Sequence, residues 1–206
     1  MEISRKYTII NAIGSGERKV SKIILVTGAA SSGKSEWAEF LAMESEKAVT
    51  YVATAQVDET DVEWVAKIAK HRCRRPQHWQ TLVAQTDLTA AISTATSADC
   101  LLVDSLGTWI ANLIDLSQKD WQKTVERFLK TLPEVSGEII LVAEETGWGV
   151  VPAYQIGRIF RDRAGSLSRQ IGAIADTVYL VTGGHALDLK KFGTPIPHLR
   201  STEFPD

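Results

Sequence analysis

An α/β domain with a mainly parallel central sheet flanked by helices is the fold this sequence predicts. Three observations carry that expectation. Short apolar runs rich in β-branched residues alternate along the chain with longer helical patterns. Most of those runs are continuously apolar rather than alternating, as strands buried on both faces are. The first run leads into a glycine-rich loop that in turn opens a helical pattern.

In chain order, residues 22–28 (KIILVTG) read as the first strand and 33–46 as the helix after the glycine loop. Residues 49–55 (VTYVATA) form the next strand. The stretch 61–71 sets Val62, Val65, Ile68 and Ala69 on one stripe, with acids at its start and cations at its end. That charge order suits a helix dipole. A helix at 87–96 precedes a strand at 100–106 (CLLVDSL), and helices at 108–115 and 118–131 follow it. Strands at 138–144 (EIILVAE) and 177–182 (TVYLVT) enclose a helix at 153–173. Pro195, Pro197 and Pro205 make 190–206 read as an irregular tail.

Composition mainly excludes. The 206 residues suffice for one sizeable core. A chain 44% hydrophobic and 23% charged is neither disordered nor collagen-like. With 23 Lys and Arg against 25 Asp and Glu, the net charge is −2. Such a balance gives no footprint for duplex nucleic acid and no pull toward an anionic membrane. No apolar run approaches the ~18 residues that span a bilayer, so no stable membrane insertion is expected. Cys73 and Cys100 are the only cysteines and lack a ligand spacing. Two thiols suit a reducing, cytoplasmic compartment. The N-terminal stretch carries Arg5, Lys6, Arg18, Lys19 and Lys22 without an apolar signal-peptide core.

The strongest motif is Gly28-Ala29-Ala30-Ser31-Ser32-Gly33-Lys34-Ser35, a full G-x-x-x-x-G-K-[ST]. Its glycines let backbone N–H groups turn inward on nucleotide phosphates, and the following helix adds its N-terminal dipole. Lys34 is the candidate to reach the β- and γ-phosphates, and the Ser35 hydroxyl to ligate Mg²⁺. Asp104 ends the run Cys100-Leu-Leu-Val-Asp. An acid there is a second candidate for organising Mg²⁺ or activating a hydroxyl, although strand-end aspartates also serve as caps. Residues 1–21 are expected as a flexible extension, leaving 22–190 as a phosphate-loop catalytic domain and 191–206 as the tail.

Lys70-His71-Arg72-Cys73-Arg74-Arg75-Pro76 concentrates cations around a histidine. It can be a helix C-terminus whose cations complement the dipole. It can also be a phosphate-facing patch with His71 as nucleophile. Neutral imidazole can attack the α-phosphorus of a nucleoside triphosphate while arginines stabilise the departing pyrophosphate. Neighbouring positive charge favours the neutral ring.

Several segments together resemble the bifunctional adenosylcobinamide kinase/adenosylcobinamide-phosphate guanylyltransferase family of cobalamin biosynthesis. They are the phosphate loop, Tyr51-Val-Ala-Thr-Ala55, and Ile68-Ala-Lys-His71-Arg-Cys-Arg-Arg75-Pro76 followed by Trp79. Further matches are Leu102-Val-Asp104-Ser-Leu-Gly-Thr-Trp109-Ile-Ala-Asn112-Leu, Glu145-Thr-Gly147-Trp-Gly149-Val-Val-Pro152 and Phe160-Arg161-Asp162-x-x-Gly165. The resemblance implies a RecA-like phosphate-loop fold and a homotrimer. It implies ATP- or GTP-dependent phosphorylation of adenosylcobinamide, then transfer of GMP from GTP through a guanylyl-histidine onto adenosylcobinamide phosphate. The guanylylated histidine falls on His71. Nucleotide contacts fall on Gly28 to Ser35, on Ala53, Thr54 and Ala55, on Arg72, Cys73, Arg74 and Arg75, and on Asp104.

Some positions depart from the family pattern. Ala29 and Ser31 stand where Gly and Arg are common, and Val83 where an acid is expected. Glu144-Glu145 replaces Asn-Glu, and Ser166-Leu-Ser168-Arg169 replaces Arg-x-Asn-Gln. These bear on substrate detail and leave Lys34, Ser35, His71 and Asp104 in place. A member with only one of the two activities, or a nucleotide-binding regulatory module, are the alternative readings. His78, His185 and His198 show no ligand spacing. Trp64, Trp109 and Trp121 suit packing, Trp148 suits either packing or ligand stacking, and Arg158, Arg161 and Arg163 suit either phosphate or solvent.

Overall fold

The computed structural model describes residues 21–56 and 74–196. The strands are β1 (Lys22–Gly28), β2 (Ala48–Ala53), β3 (Gln80–Val83), β4 (Asp99–Asp104), β5 (Glu138–Glu144), β6 (Thr177–Thr182) and β7 (His185–Asp188). They form one sheet in the order β3-β2-β4-β5-β1-β6-β7. All pairings are parallel except β6 with β7. This is the expected α/β class.

Alternation along each strand sends side chains to two cores. Ile23 and Leu25 of β1, Leu101 and Val103 of β4, and Ile139 and Leu141 of β5 face one side. Helices α2 (Leu88–Ile92), α3 (Leu106–Asn112), α4 (Gln118–Thr131) and α5 (Gln155–Ile174) cover that side. Ile24, Val26, Leu102, Ile140 and Val142 face the other, where α1 (Lys34–Glu44) lays down Ala38 and Ala42. Those two fully buried alanines let α1 lie close on the strands that carry the phosphate loop and Asp104. Trp109, Trp121 and Phe128 form one aromatic cluster in the first core, with Trp109 centroids 5.7 and 5.2 Å from the other two. Trp64 lies outside the described residues.

Strands 22–28, 138–144 and 177–182 and helix 118–131 fall where the sequence places them. The strand expected over 100–106 ends at Asp104 because Ser105 caps α3, accepting from the Thr108 N–H in a capping box. The helix expected over 87–96 stops at Ile92. Beyond it, Ser93 and Thr94 hydroxyls donate to the carbonyls of Thr89 and Ala91 at 2.8 and 2.9 Å. The helix expected over 108–115 stops at Asn112 because the Arg163 guanidinium claims the carbonyls after it. It donates to Leu113, Ile114 and Leu116 at 3.0, 3.0 and 2.6 Å. Arg163 is therefore a buried brace between α5 and α3, neither phosphate-facing nor solvating. The helix expected at 61–71 lies outside the described residues.

Among the described residues, two strands and a helical turn after the second of them lie outside the expected elements. β3 is exposed at all four positions, so it lacks an apolar run and exists through its register on β2. β7 returns on β6 through Gly183 and Gly184, whose φ values of 57° and 76° suit a two-residue hairpin. A one-turn helix, α6 (Leu189–Phe192), follows, capped by the Asp188 carboxylate, so the stretch read as tail from 190 begins in a helix.

Candidate active site

The C-terminal ends of β1, β2, β4 and β5 share one edge of the sheet, the edge where ligands of open α/β sheets bind. The phosphate loop leaves β1 there. Ser31 and Gly33 take left-handed φ values of 56° and 91°, which turn the loop back over itself. Gly33 caps α1 without a side-chain bond, so the positive end of the helix dipole faces the loop interior with no capping side chain over it. A Cβ on Gly28 would lie 2.5 Å from the Val181 carbonyl oxygen and 2.6 Å from Ser32 Oγ. Only a bare backbone fits between the loop and β6. Gly28→Ala should therefore cost about 1–3 kcal/mol of stability and weaken nucleotide binding. Thermal melts and nucleotide titration would check this, and a variant binding like wild type would contradict it.

Two loop features suit an anion. The Lys34 side chain is buried and its ammonium donates to the Ala29 carbonyl at 3.3 Å. Ser32 Oγ is buried with no hydrogen-bond partner among the described residues. A buried hydroxyl of that kind is costly unless a ligand satisfies it.

Asp104, at the end of β4, is the hub of the site. Its Oδ1 accepts from Ser35 Oγ at 3.4 Å and its Oδ2 from the Tyr51 hydroxyl at 3.3 Å. Burial pushes its carboxyl above the usual range, against the Ser35 and Tyr51 hydrogen bonds and the charges of Lys34 and Arg75. A serine hydroxyl meeting a carboxylate beside a phosphate loop is a hard-oxygen donor pair. That pair fits Mg²⁺, which takes one or two protein oxygens and completes its shell with phosphate and water.

The basic segment reaches this hub through two arginines. Arg74 pairs with Glu36 and, at 3.3 Å, with Glu39, both on α1. Glu39 is buried, and desolvation raises its carboxyl pKa while Arg74 opposes the rise. The Arg75 guanidinium lies 3.4 Å from the Tyr51 ring centroid. Tyr51, Arg75, Pro76, Gln77, Trp79 and Thr81 line a cleft of about 220 Å³, and the Tyr51 hydroxyl links that lining to Asp104. His71, Arg72 and Cys73 lie outside the described residues.

Other expected residues serve the frame. Thr54 is fully buried, its hydroxyl donating to the Ser105 carbonyl at 2.7 Å and accepting from the Ser105 N–H at 2.9 Å. It pins the corner after Asp104. Ala53 closes β2 in register with Asp104, and Ala55 follows Thr54 at the same edge. Asn112 Nδ2 donates to the Thr54 carbonyl at 2.7 Å and ties α3 to the same corner. The two consecutive glutamates divide their work. Glu145 accepts from Thr27 Oγ1 at 2.7 Å and its N–H donates to the Gly28 carbonyl at 2.9 Å, while Glu144 accepts from the Gly107 N–H at 2.9 Å. Val83 is exposed at the end of β3. Cys100 is a free, buried thiol whose pKa burial pushes to about 11. Arg158 donates to the Pro152 and Ala153 carbonyls at 3.1 and 2.7 Å.

Tyr51, Glu36 and Glu39 are the residues that sequence reasoning missed. Tyr51 stood inside a quoted segment, but no spacing rule ties a mid-strand tyrosine to an acid 53 positions away. Glu36 and Glu39, one helical turn apart, could have been noticed as a matched pair for an arginine.

The sheet and its loop give the chain the architecture of a phosphate-loop nucleotide-binding protein. The chain belongs to the cobinamide kinase/cobinamide phosphate guanyltransferase family, whose model matches residues 24–189. It is 43% identical to the bifunctional adenosylcobalamin biosynthesis protein CobP of Pseudomonas aeruginosa, over 84% of this chain and 98% of that one. It is 33% identical to the corresponding protein CobU of Escherichia coli, over 82% of this chain and 99% of the other. A solved protein of Pyrococcus horikoshii shares the fold at a TM-score of 0.52 and 8% identity, covering 82% of this chain and 85% of that one. No helix among the described residues is long and apolar enough to cross a membrane.

Proposed function

We propose that this chain phosphorylates adenosylcobinamide with ATP or GTP and then transfers GMP from GTP to adenosylcobinamide phosphate, yielding adenosylcobinamide-GDP and pyrophosphate. The observation that carries the reading is Asp104, whose two carboxylate oxygens face the phosphate-loop serine on one side and, through Tyr51, the arginine segment on the other. One nucleotide-handling surface thereby serves both transfers.

In the first reaction the phosphate loop and Lys34 hold the triphosphate. The substrate hydroxyl oxygen bonds to the γ-phosphorus, the bond to the β–γ bridging oxygen breaks, and the hydroxyl proton is released. In the second, an imidazole nitrogen of His71 bonds to the α-phosphorus and pyrophosphate leaves with the electron pair. An oxygen of the corrinoid phosphate then displaces the imidazole, restoring His71. Ser35 and Asp104 would hold Mg²⁺, which when bound neutralises charge on the phosphate oxygens. We extend the reading to a cytoplasmic homotrimer. The exposed apolar side chains Trp148, Val150, Val151, Tyr154 and Ile156 support an assembly, and sedimentation as a monomer would remove that part.

The test is incubation with α-labelled GTP and Mg²⁺. The protein should acquire an acid-labile, base-stable label that passes to adenosylcobinamide phosphate on addition of that acceptor. Phosphorylation of adenosylcobinamide is measured alongside. Labelling without phosphorylation would leave a single-activity enzyme, and GTP binding with neither reaction would leave a regulatory module.

A further inference from the structure

We propose that Tyr51 is a positioning residue joining the two halves of the site, orienting Asp104 through its hydroxyl and seating Arg75 on its ring. The proposal rests on the functional reading above and deepens it. Tyr51 lies mid-strand in β2, opposite Leu102 of β4 and Thr81 of β3, and its side chain belongs to the core under α1. From there it leans toward the ligand edge. Its hydroxyl meets both Asp104 Oδ2 and the Asp104 carbonyl oxygen, at 3.3 and 3.4 Å.

A phenylalanine would fill the same ring volume, so packing alone does not account for the hydroxyl. Buried hydroxyls are costly unless used, and the two acceptors of this one both belong to Asp104. The ring has its own task. With its guanidinium carbon 3.4 Å over the ring centroid, Arg75 is held there by a cation–π contact. Arg74, next in sequence, is held differently, by carboxylates of α1. Two consecutive arginines are thus fixed from two elements, and Arg75 connects through the Tyr51 side chain to the Asp104–Ser35 pair.

Two substitutions separate these tasks. Tyr51→Phe keeps the ring and removes the hydroxyl. Arg75→Lys keeps the charge and removes the planar stack. Each is titrated with a fluorescent, non-hydrolysable GTP analogue in Mg²⁺ and in EDTA, a measurement independent of turnover. Tyr51→Phe should reduce the gain in affinity that Mg²⁺ confers by about three- to tenfold, with affinity in EDTA changed less than twofold. Arg75→Lys should weaken affinity in EDTA about fivefold. In an Asp104→Asn background, Tyr51→Phe should have no further effect, because its action passes through that carboxylate.

A Tyr51→Phe variant with the full Mg²⁺ gain overturns the hydroxyl role, as does an undiminished effect in the Asp104→Asn background. Wild-type affinity of Arg75→Lys in EDTA overturns the seating role. Thermal melts of Tyr51→Phe within a few degrees of wild type establish that the fold is intact. Variants that show these shifts in a protein whose wild type neither labels nor phosphorylates would sink the functional reading and leave Tyr51 in its role.

Discussion

Asp104→Asn should slow phosphoryl transfer roughly 10²–10³-fold and make the ligand-free chain more stable. The rate loss follows from removing the charge that faces Ser35 across 3.4 Å at the head of the phosphate loop. The stability gain follows from the cost of holding that charge in place. Burial raises the carboxyl pKa in the folded chain above that of an ordinary aspartate. Well below that value the carboxyl is protonated in both states and contributes nothing to pH dependence. As pH rises past it, the unfolded chain releases its proton first, so stability falls until the folded carboxyl also ionises. Asparagine does not titrate and escapes that fall. The variant should gain about 0.5–2 kcal/mol at pH 7, roughly 2–6 °C in midpoint, and a smaller advantage near pH 3. Melts at both pH values with a kinase assay check both halves. A lower midpoint at pH 7 would mean that the carboxylate is a net structural asset.

His71→Ala should abolish labelling by α-labelled GTP, a loss of at least ~10³-fold set by the need for a covalent nucleophile, while ATP-dependent phosphorylation of adenosylcobinamide continues. In the proposed scheme the two reactions act on different phosphorus atoms. Attack at the γ-phosphorus would use the loop, Lys34 and the acceptor hydroxyl without an imidazole. Attack at the α-phosphorus would use the ring nitrogen as the first acceptor. Full labelling of the variant would remove His71 from its role. Loss of both reactions together, in a variant that still melts cooperatively, would show that the histidine also serves the phosphate loop.

Much of the fold was legible because parallel strands buried on both faces have to be continuously apolar. β1, β5 and β6 announce themselves through runs such as Ile23-Ile24-Leu25-Val26 and Ile139-Ile140-Leu141-Val142. β3 does not, since its four residues are exposed and its stability comes from hydrogen bonds to β2. β7 carries its only local signal in Gly183-Gly184, the spacing of a tight hairpin. In the site, the phosphate loop and Asp104 were readable because each is local to a strand end. The partners of the arginines were not. Glu36 lies 38 residues and Glu39 35 residues before Arg74, and the Tyr51 hydroxyl reaches an acid 53 residues on. Contacts at such separations arise from the crossing of α1 over the sheet and from the register of β2 on β4, neither of which leaves a periodic trace. The same limit made Arg163 ambiguous, since its three carbonyl partners lie 47 to 50 positions away.

The position of β1 in the sheet bears on how the chain matures as it is made. Its two neighbours arrive late, with Lys22 opposite Glu138 on one side and Ile24 opposite Thr177 on the other. At about 5–20 residues per second of synthesis, the strand that carries the phosphate loop waits roughly 6–25 s before β5 emerges, and longer for β6. The loop cannot take its binding shape sooner, because the Val181 carbonyl that walls in Gly28 and the Glu145 N–H that fixes its carbonyl belong to those late segments. A nascent chain halted before β5 would carry the whole phosphate-loop motif and bind no nucleotide. Nucleotide affinity should therefore appear abruptly once β5 and β6 have emerged, as a signature that both have docked beside β1.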